Sequence, residues 1–471
     1  MTRRKSARRA KYAPLPLAAG LLLAVTAGAR ADEEAKVVDG IQLPSVATSL
    51  PYNGDRYGTR RKLADQGLTF GWILTSEVLS NVSGGLRRGT VFEGKLEGFV
   101  KADLEKLLGI RGLSFYANAF QIHGTGGIAR NLVGSFNTIS NIEALPTTRL
   151  SELWFEQEFF GGMASFRIGQ LAADTEFFVS DQSQFFMNSD WPAILKHDLP
   201  SGGPAYPLST PGMRFKVEPS KQWTLLLALF NGDPAGPGPG DAEIKNRYGI
   251  NFRLQDPPFL IGEVQYRYNQ GANDTGLAGI IRLGGWYHFG SFDSQRFDTA
   301  GLSLANPLSS GIPARLRGDG GVYGIIDQQI YRPAGAGPDT GISVFSRISA
   351  APSDRNLINF YLDGGIVFSG MVPNRPDDKF GATFIYSNIS SAARALDRDM
   401  IRYTGEPYPI RNFEMNLAFA YMAQIVPGWT VQGEVQYIMN PDGNVPLPGA
   451  ASPTTTIPNA TVLAVRSVIR Y

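Results

Sequence analysis

Cysteine, histidine and charged residues are scarce in this sequence, and each shortage excludes a class of protein. The 471 residues contain no Cys, which excludes a disulfide framework, a thiolate metal site and a cysteine nucleophile. Charged residues make up 18% of the chain, against about a quarter in an average soluble domain. The formal net charge is only +2, and there is no basic stripe of the kind that binds nucleic acid. Nucleic acid is therefore not expected as a partner.

The sequence motifs of common catalytic and metal sites are also absent. The three His residues, His123, His197 and His288, are far apart and form no His-x-x-x-His pair that would bind zinc. No Gly-x-Ser-x-Gly nucleophile motif occurs. The glycine cluster at 124–127 lacks the Lys of a phosphate-binding loop. The sequence therefore predicts no catalytic residue, no metal site and no cofactor.

Long apolar runs are absent after residue 31, so the sequence predicts no transmembrane helix. Before that point, six basic residues precede an apolar stretch at 15–25, and the small-residue site Ala29-Arg30-Ala31 follows. This order is typical of a secretory signal peptide, here 1–31, with cleavage expected before Asp32. The alternative is a membrane anchor, which needs about 20 apolar residues, and this run is shorter.

Removal of residues 1–31 changes the charge of the chain. That segment holds seven of the 44 Lys and Arg residues and no acid, so 37 basic residues remain against 42 acidic ones, a net charge of −5. The mature chain is expected beyond a bacterial inner membrane. Residues 32–66 are interpreted as an N-terminal lead-in and 67–471 as one domain, because no shift of composition marks a further boundary.

Alternation of apolar and polar residues is the dominant pattern of the mature chain. Such a period of two indicates a β-strand with one apolar face. The segments 248–254, 413–421, 431–437 and 463–471 show it most clearly. With thirteen weaker segments they make about 17 predicted strands, one of which is expected to be split or false; the weaker ones are 68–78, 91–101, 112–122, 151–160, 164–171, 211–218, 222–230, 259–268, 280–289, 321–331, 341–349, 357–369 and 380–389.

Short turns and longer irregular stretches separate these strands. Turn-forming runs such as Asn440-Pro441-Asp442-Gly443 occur between several of them. Asp103 and Gly109 bracket one predicted helical turn, as N-cap and C-terminal glycine. The longer stretches expected to be irregular are 123–148, 181–210, 291–320 and 390–410.

Two all-β architectures explain this pattern, a soluble sandwich and a transmembrane barrel. A sandwich of this length requires several domains and linkers, and none are visible. The apolar faces are rich in aromatics and the opposite faces carry Arg, Glu, Gln and Asn, as expected when one face meets lipid and the other a wet lumen. The sequence favours an antiparallel transmembrane barrel, since closing the sheet pairs every backbone group in lipid.

Ordered runs along the chain resemble the carbohydrate-selective porins of Gram-negative outer membranes, the OprB family. The strongest is Thr-Arg-Leu-Ser-Glu-Leu-Trp-Phe-Glu-Gln at 148–157, which is followed by Phe-Arg-Ile-Gly-Gln-Leu-Ala-Ala-Asp-Thr-Glu-Phe at 166–177. The other similar runs lie at 63–70, 80–85, 103–112, 283–288, 324–329, 351–356 and 457–471. The loop stretches 231–243 and 295–320 do not share this resemblance.

The resemblance implies a barrel of about 16 strands in the outer membrane, with passive diffusion of sugars as its function. It implies sugars, outer-membrane lipid and the barrel-assembly machinery as partners, and it leaves the oligomeric state open. Two alternatives remain at this point. One is a porin for other small polar or anionic solutes, and the other is an outer-membrane enzyme or structural barrel.

The polar faces of the predicted strands supply candidate residues for the pore. Glu152, Trp154 and Glu156 share one face of a strand, and Arg167 lies on the polar face of the next. Charges of opposite sign on neighbouring strands either set a field across the pore or form a structural ion network in its wall. The full set of predicted pore-lining or solute-binding residues is Arg149, Glu152, Trp154, Glu156, Arg167, Asp174, Glu176, Glu263, Arg267 and Trp286.

Some of these candidates have a second interpretation. Trp286 is either a surface on which a sugar ring stacks or an aromatic of the membrane interface. Asp174 and Glu176 flank an irregular segment that is either an inward constriction loop or a surface loop. Tyr471 ends the last strand, and a terminal aromatic is the membrane insertion signal usual in this class of barrel.

Overall fold

The computed structural model describes residues 37–271 and 274–471 of the chain. The predicted signal peptide and the first residues of the lead-in lie outside this part. Two short strands, β1 (Val37–Val38) and β2 (Ile41–Gln42), form a separate small sheet. The sixteen strands that follow in the described residues are β3 (Leu68–Ser83), β4 (Gly89–Asp103), β5 (Leu113–Gly124), β6 (Thr147–Phe159), β7 (Ala164–Leu171), β8 (Thr210–Ser220), β9 (Trp223–Asn231), β10 (Pro258–Tyr268), β11 (Gly279–Asp298), β12 (Pro313–Tyr331), β13 (Gly341–Ala350), β14 (Ile358–Ser369), β15 (Lys379–Ile389), β16 (Phe413–Val426), β17 (Trp429–Met439) and β18 (Ala460–Arg470).

Helices are few and short. The α-helices of the described residues are α1 (Thr59–Asp65), α2 (Leu104–Leu108), α3 (Ala193–Lys196), α4 (Ala242–Lys245) and α5 (Ser391–Thr404). Single turns of other helix types occupy Val46–Ser49, Pro51–Gly54, Ala129–Val133, Phe160–Gly162, Ala173–Thr175, Ser183–Phe185, Pro200–Gly202 and Pro441–Gly443. No helix in the described ranges has both the length and the apolar character needed to cross a bilayer.

Strands β3 to β18 form one closed antiparallel barrel. Each strand pairs with its neighbours in the sequence, and β18 closes the sheet by pairing with β3. Closure leaves no edge strand, so the backbone of the whole wall is hydrogen-bonded within the sheet. The predicted fold class, an antiparallel β-barrel of about 16 strands, is confirmed.

The two faces of the wall differ as the alternation predicts. On β16 the side chains of Leu417 and Phe419 are exposed on the outside, whereas those of Glu414 and Asn416 are fully buried on the inside. A strand directs successive side chains to opposite faces, so an apolar exterior and a polar interior follow from one alternating sequence. The same arrangement recurs around the barrel, which gives it an apolar band suited to lipid.

The two ends of the barrel carry different connections. One end has the short turns, such as 160–163, 221–222 and 427–428, together with the chain termini of the barrel. We call it the turn end, and the opposite end, with the connections 125–146, 172–209, 232–257, 390–412 and 440–459, the loop end. In outer-membrane barrels short turns face the periplasm and longer loops face the exterior.

The helical turn predicted at 103–109 is α2, at the turn end. The Asp103 carboxylate accepts hydrogen bonds from the backbone N–H groups of Glu105 (3.0 Å) and Lys106 (3.2 Å), as an N-cap does. Gly109 ends the helix with φ of 73°, a conformation that glycine adopts at little cost. This local prediction is confirmed.

The strand predicted at 248–254 is wrong, although its alternation is among the clearest in the sequence. The segment lies in the loop between β9 and β10 and has no partner strand. Gly249 and Phe252 have φ angles of 69° and 43°, which interrupt an extended backbone. It contacts the wall at two carbonyls: the Leu150 N–H donates to Tyr248 (3.0 Å), and the Gln170 side-chain amide donates to Gly249 (2.8 Å). Alternating side chains show that a segment has two chemically different faces. They do not show that its backbone pairs with a neighbouring strand.

The stretch 291–320 contains more strand than expected. Strand β11 continues to Asp298 and β12 begins at Pro313, so only 299–312 connects them. The register between the two strands shifts after His288 and again after Asp293. Polar residues occupy both faces of this extension, so no alternation marked it as strand.

The described part of the lead-in packs against the turn end of the barrel. Arg60 of α1 donates hydrogen bonds to the carbonyls of Gly40 (3.0 Å) and Phe70 (2.9 Å). Its guanidinium also lies 4.9 Å from the ring centroid of Tyr471, whose hydroxyl donates to the Gly54 carbonyl (3.2 Å). Arg60 is 4% exposed and therefore joins the lead-in to both the first and the last barrel strands.

Candidate pore constriction

Two connections of the loop end fold into the barrel and do not lie over it. Residues 172–209, which we call the inner loop, contribute Phe177, Phe178, Ile194 and Leu195, all fully buried. Phe178 stacks on Tyr323 of β12 with ring centroids 4.1 Å apart. The second connection, 125–146, contacts the inner loop through the Asn141 N–H, which donates to the Met187 carbonyl (2.9 Å).

Carboxylates on the inner wall hold the inner loop through its backbone. Glu263 of β10 accepts from the Phe178 N–H (2.9 Å), and Glu434 of β17 accepts from the Met187 N–H (3.0 Å). Asp327 of β12 accepts from the N–H groups of Asp181 and Gln182 (both 3.1 Å) and from the Ser180 hydroxyl (2.6 Å). An irregular loop has unpaired N–H groups, and burying them without acceptors is unfavourable. The wall supplies the acceptors from both sides of the barrel.

An Arg–Asp pair holds the same loop by its carbonyls. Arg347 of β13 donates from Nε to Asp363 of β14 (2.8 Å) and from Nη1 to the carbonyls of Asp190 (3.0 Å) and Phe178 (3.3 Å). The side chains of Arg347 and Asp363 are 1% and 2% exposed. The inner loop is thus fixed at its amides by carboxylates and at its carbonyls by a buried guanidinium.

Four charged side chains meet where the inner loop leaves the wall of β6, β7 and β8. We call Glu156, Arg167, Glu176 and Arg214 the ion network. Arg167 contacts Glu156 (Nη2 to Oε2, 2.9 Å) and Glu176 (Nη1 to Oε1, 3.0 Å). Arg214 contacts the same two carboxylates, with N–O distances of 3.0 and 2.8 Å.

The register of the sheet explains why the ion network needs both carboxylates. Arg167 lies directly opposite Arg214 on the neighbouring strand and opposite Glu156 on the other side. Like charges directly opposite each other are destabilising. Glu156 and Glu176 each bridge the two guanidinium groups, and the four charges balance. Glu156, at 13% side-chain exposure, is the most accessible of the four.

Trp154 lies beside the ion network and is covered by other side chains. The Arg167 guanidinium lies 3.9 Å from the centroid of its ring, and Tyr116 stacks on the ring with centroids 5.0 Å apart. The residue is 7% exposed. Protein groups therefore already occupy the ring surface that a sugar would need for stacking.

The structure brings four of the residues predicted from sequence into one cluster: Trp154, Glu156, Arg167 and Glu176. Glu152 lies next to them and accepts from the Ala172 N–H at the start of the inner loop (3.3 Å).

Asp174, also in the inner loop, accepts from the Tyr206 N–H (2.8 Å). Burial raises the pKa of this carboxyl to about 6, even though the hydrogen bond favours its charged form.

The other predicted residues lie elsewhere on the inner wall. Arg149 is 2% exposed and donates to the Asn246 carbonyl (3.2 Å) of the loop between β9 and β10. Glu263 holds the inner loop as described above, and Arg267 donates to Gln265 (2.8 Å). Trp286 is 5% exposed and packs against Phe259 inside the barrel, which does not fit an aromatic of the membrane interface.

Sequence reasoning missed several residues that shape the interior. Arg214 completes the ion network, and Arg282 of β11 bridges Asp327 (2.7 Å) and Asp181 (2.9 Å). Arg347 and Asp363 form the buried pair under the inner loop. Each lies at an inward position of a predicted strand, so polarity on the inner face was a signal available for all of them.

Comparison with known proteins gives a consistent result. Residues 90–471 match the model of the family described as "Carbohydrate-selective porin, OprB family". The chain is 23% identical over 412 residues to Porin B of Pseudomonas aeruginosa, covering 83% of this chain and 87% of that protein. It is 21% identical over 409 residues to the putative porin QuiX of Acinetobacter baylyi, covering 83% and 88%.

Solved structures show the same fold. The high-pH structure of Pseudomonas putida OprB matches with a TM-score of 0.75 at 20% identity, over 89% of this chain and 98% of that one. The low-pH structure matches with a TM-score of 0.52 at 16% identity, over 89% and 97%. A closed barrel with a polar interior and inward loops is the architecture of a channel. The chain belongs to the carbohydrate-selective porin family, and it is an outer-membrane porin.

Proposed function

We propose that the barrel admits small carbohydrates, mono- or short oligosaccharides, by passive diffusion across the outer membrane. The observation that carries this proposal is the ion network beside the inner loop. Fixed Arg and Glu side chains there provide donors and acceptors at the place where the inner loop leaves the wall. Membership of the carbohydrate-selective family supports the class of solute.

The hydroxyl groups of a sugar suit a wall that carries both hydrogen-bond donors and acceptors. Each hydroxyl both donates and accepts, so a sugar exchanges part of its hydration for hydrogen bonds to carboxylates and guanidinium groups. The balanced charges of the ion network attract neither cations nor anions strongly. A neutral polar solute can form hydrogen bonds with both the Arg and the Glu side chains. Its passage is passive diffusion and requires no energy source.

We propose Glu156 and Arg167 as the groups that meet the solute. Glu156 is the most accessible member of the ion network, and Arg167 bonds to it directly. Lys95 and Glu97, which lie 3.9 Å apart on the inner face of β4 with side-chain exposures of 17% and 16%, would extend the polar wall. The other residues predicted to line the pore are proposed to act by holding the inner loop or the wall.

Two proposals concern how the protein reaches the membrane. Residues 1–31 would direct export and be removed before Asp32, and the outward apolar band would meet outer-membrane lipid.

Tyr471 would serve as the signal that the barrel-assembly machinery recognises, before its ring packs against Arg60 in the folded barrel. Its replacement by Asp should lower the yield of protein in the outer membrane.

Liposome swelling tests the proposed solute class. Liposomes that contain the purified protein should swell faster in an isotonic hexose than in an organic ion of matched size, and more slowly as the sugar lengthens. Protein-free liposomes provide the baseline. Equal rates for the hexose and the ion would contradict carbohydrate preference and favour a general porin for small polar solutes.

A further inference from the structure

A groove of about 460 Å³ lies on the outer wall of the barrel, over β16, β17, β18 and β3. Its centre is Gly433, where an added Cβ would have no atom within 4 Å. Outward apolar side chains surround this gap and are 39% to 55% exposed: Val78, Phe419, Tyr421, Val435, Leu463 and Val465. The lining is almost wholly apolar, so the groove suits a hydrocarbon chain and no polar solute.

Polar groups continue from the groove towards the loop end. Ser80 lines the groove, and its hydroxyl lies 2.9 Å from the hydroxyl of Thr90 and donates to the Gly89 carbonyl (3.4 Å). Arg87 and Arg88 come directly before Gly89 in the turn between β3 and β4. Both are exposed at the rim of the barrel.

The charge at this rim is positive and unbalanced. The side chain of Arg88 has no hydrogen bond or ion pair to any residue in the described ranges, and the guanidinium of Arg87 donates one bond, to the Asn131 carbonyl (3.2 Å). The outward positions of β3, β4, β17 and β18 carry no carboxylate, because the acids of these strands point inward, as Glu77, Glu93 and Glu434 do. An anionic group at the rim would therefore meet two arginine side chains and no outward carboxylate of these four strands.

We propose that this surface binds a phosphorylated, acylated lipid of the outer leaflet. One acyl chain lies in the groove over Gly433, the hydroxyls of Ser80 and Thr90 face its polar linkage, and Arg87 and Arg88 bind its phosphate. Clusters of basic residues beside apolar membrane surface are the arrangement that recognises anionic lipid headgroups. The site is on the lipid side of the wall and is independent of the pore and its solutes.

Native mass spectrometry of the full protein in detergent tests the proposal with lipid A, a diphosphorylated acylated disaccharide, as the probe. One molecule should bind, and dephosphorylated lipid A should bind much more weakly. Each arginine near an anionic lipid surface contributes about fivefold in affinity. Arg88→Ala should therefore weaken binding about fivefold, and the double variant Arg87→Ala/Arg88→Ala about thirtyfold.

A second variant tests the groove apart from the charge. Gly433→Leu fills the gap and should remove binding while the barrel and its hexose swelling stay unchanged. The matched controls are Gly324→Leu and Arg317→Ala on β12, four strands from the groove. Gly324 faces outward between Val322 and Ile326, and Arg317 is an exposed cation at the loop end. Both controls should bind lipid A like the parent.

Three results would overturn the proposal. Equal binding of lipid A and its dephosphorylated form would show that Arg87 and Arg88 do not bind the phosphate. Displacement of lipid A by inorganic phosphate alone would show that the groove contributes nothing to the affinity for the lipid. A dimer of the chain that disappears in Gly433→Leu would assign the groove to a second copy of the protein.

Discussion

Replacing Arg167 with Ala should make the channel more selective for cations and weaken its interaction with sugars, while the barrel still folds. The ion network contains two positive and two negative groups, so the variant leaves one net negative charge beside the inner loop. A unit charge about 4 Å from a passing ion contributes about 1 kcal/mol even in water. The ratio of cation to anion permeability should therefore rise about fivefold or more, measured as reversal potential in a salt gradient.

The control for this prediction is the neighbouring outward position. Phe155 is 45% exposed on the lipid side of β6. Phe155→Arg puts a charge on the lipid face, which costs about 2–4 kcal/mol at the bilayer midplane and less towards the interfaces. It should therefore hinder assembly, seen as loss of heat-modifiable mobility on gels. If Arg167→Ala conducts like the parent, and Phe155→Arg folds equally well, then Arg167 does not face the permeating ions.

Replacing Asp363 with Ala should lower the free energy of unfolding by about 3–5 kcal/mol, the usual result of leaving one member of a buried ion pair alone. Arg347 would keep its charge at 1% exposure without its carboxylate. The same guanidinium holds the carbonyls of Phe178 and Asp190, so the inner loop should also loosen. Urea unfolding in detergent, followed by gel mobility, measures the first effect, and noisier single-channel current the second.

Asp293→Ala is the matched control for Asp363→Ala. Asp293 pairs with Arg315 between neighbouring strands, but the two side chains are 57% and 59% exposed. Exposed pairs contribute about 0–1 kcal/mol, so this variant should unfold like the parent and conduct with normal noise. A similar loss of stability in both variants would show that burial of the Arg347–Asp363 pair has no special role.

The barrel was predictable from the sequence because each strand carries its own signal. Alternation such as that of 413–421 marks a segment with one face in lipid and one in the lumen, and all sixteen barrel strands overlap a predicted one. The same signal failed at 248–254, where the alternating residues lie in a loop. It also failed in the extension of β11 and β12 towards the loop end, where polar residues occupy both faces.

The candidate site was predictable only where its residues are neighbours in the sheet. Glu156 and Arg167 lie on consecutive strands, so their shared inward face placed them together. The contact of Glu434 with Met187 joins residues far apart in sequence, and it depends on the path of the inner loop across the barrel. No local pattern specifies that path. The covering of Trp154 by Arg167 and Tyr116 likewise follows from three-dimensional packing.

Sugar block of the ion current through a single barrel tests the proposed function most directly. With one protein in a planar bilayer, adding a neutral hexose or a disaccharide to one side should interrupt the current briefly, with a frequency that rises with sugar concentration. Such events would show that the sugar enters the narrow region where the ions pass. A current that falls only in proportion to the lower conductivity of the sugar solution, with no blocking events, would contradict carbohydrate passage beside the ion network.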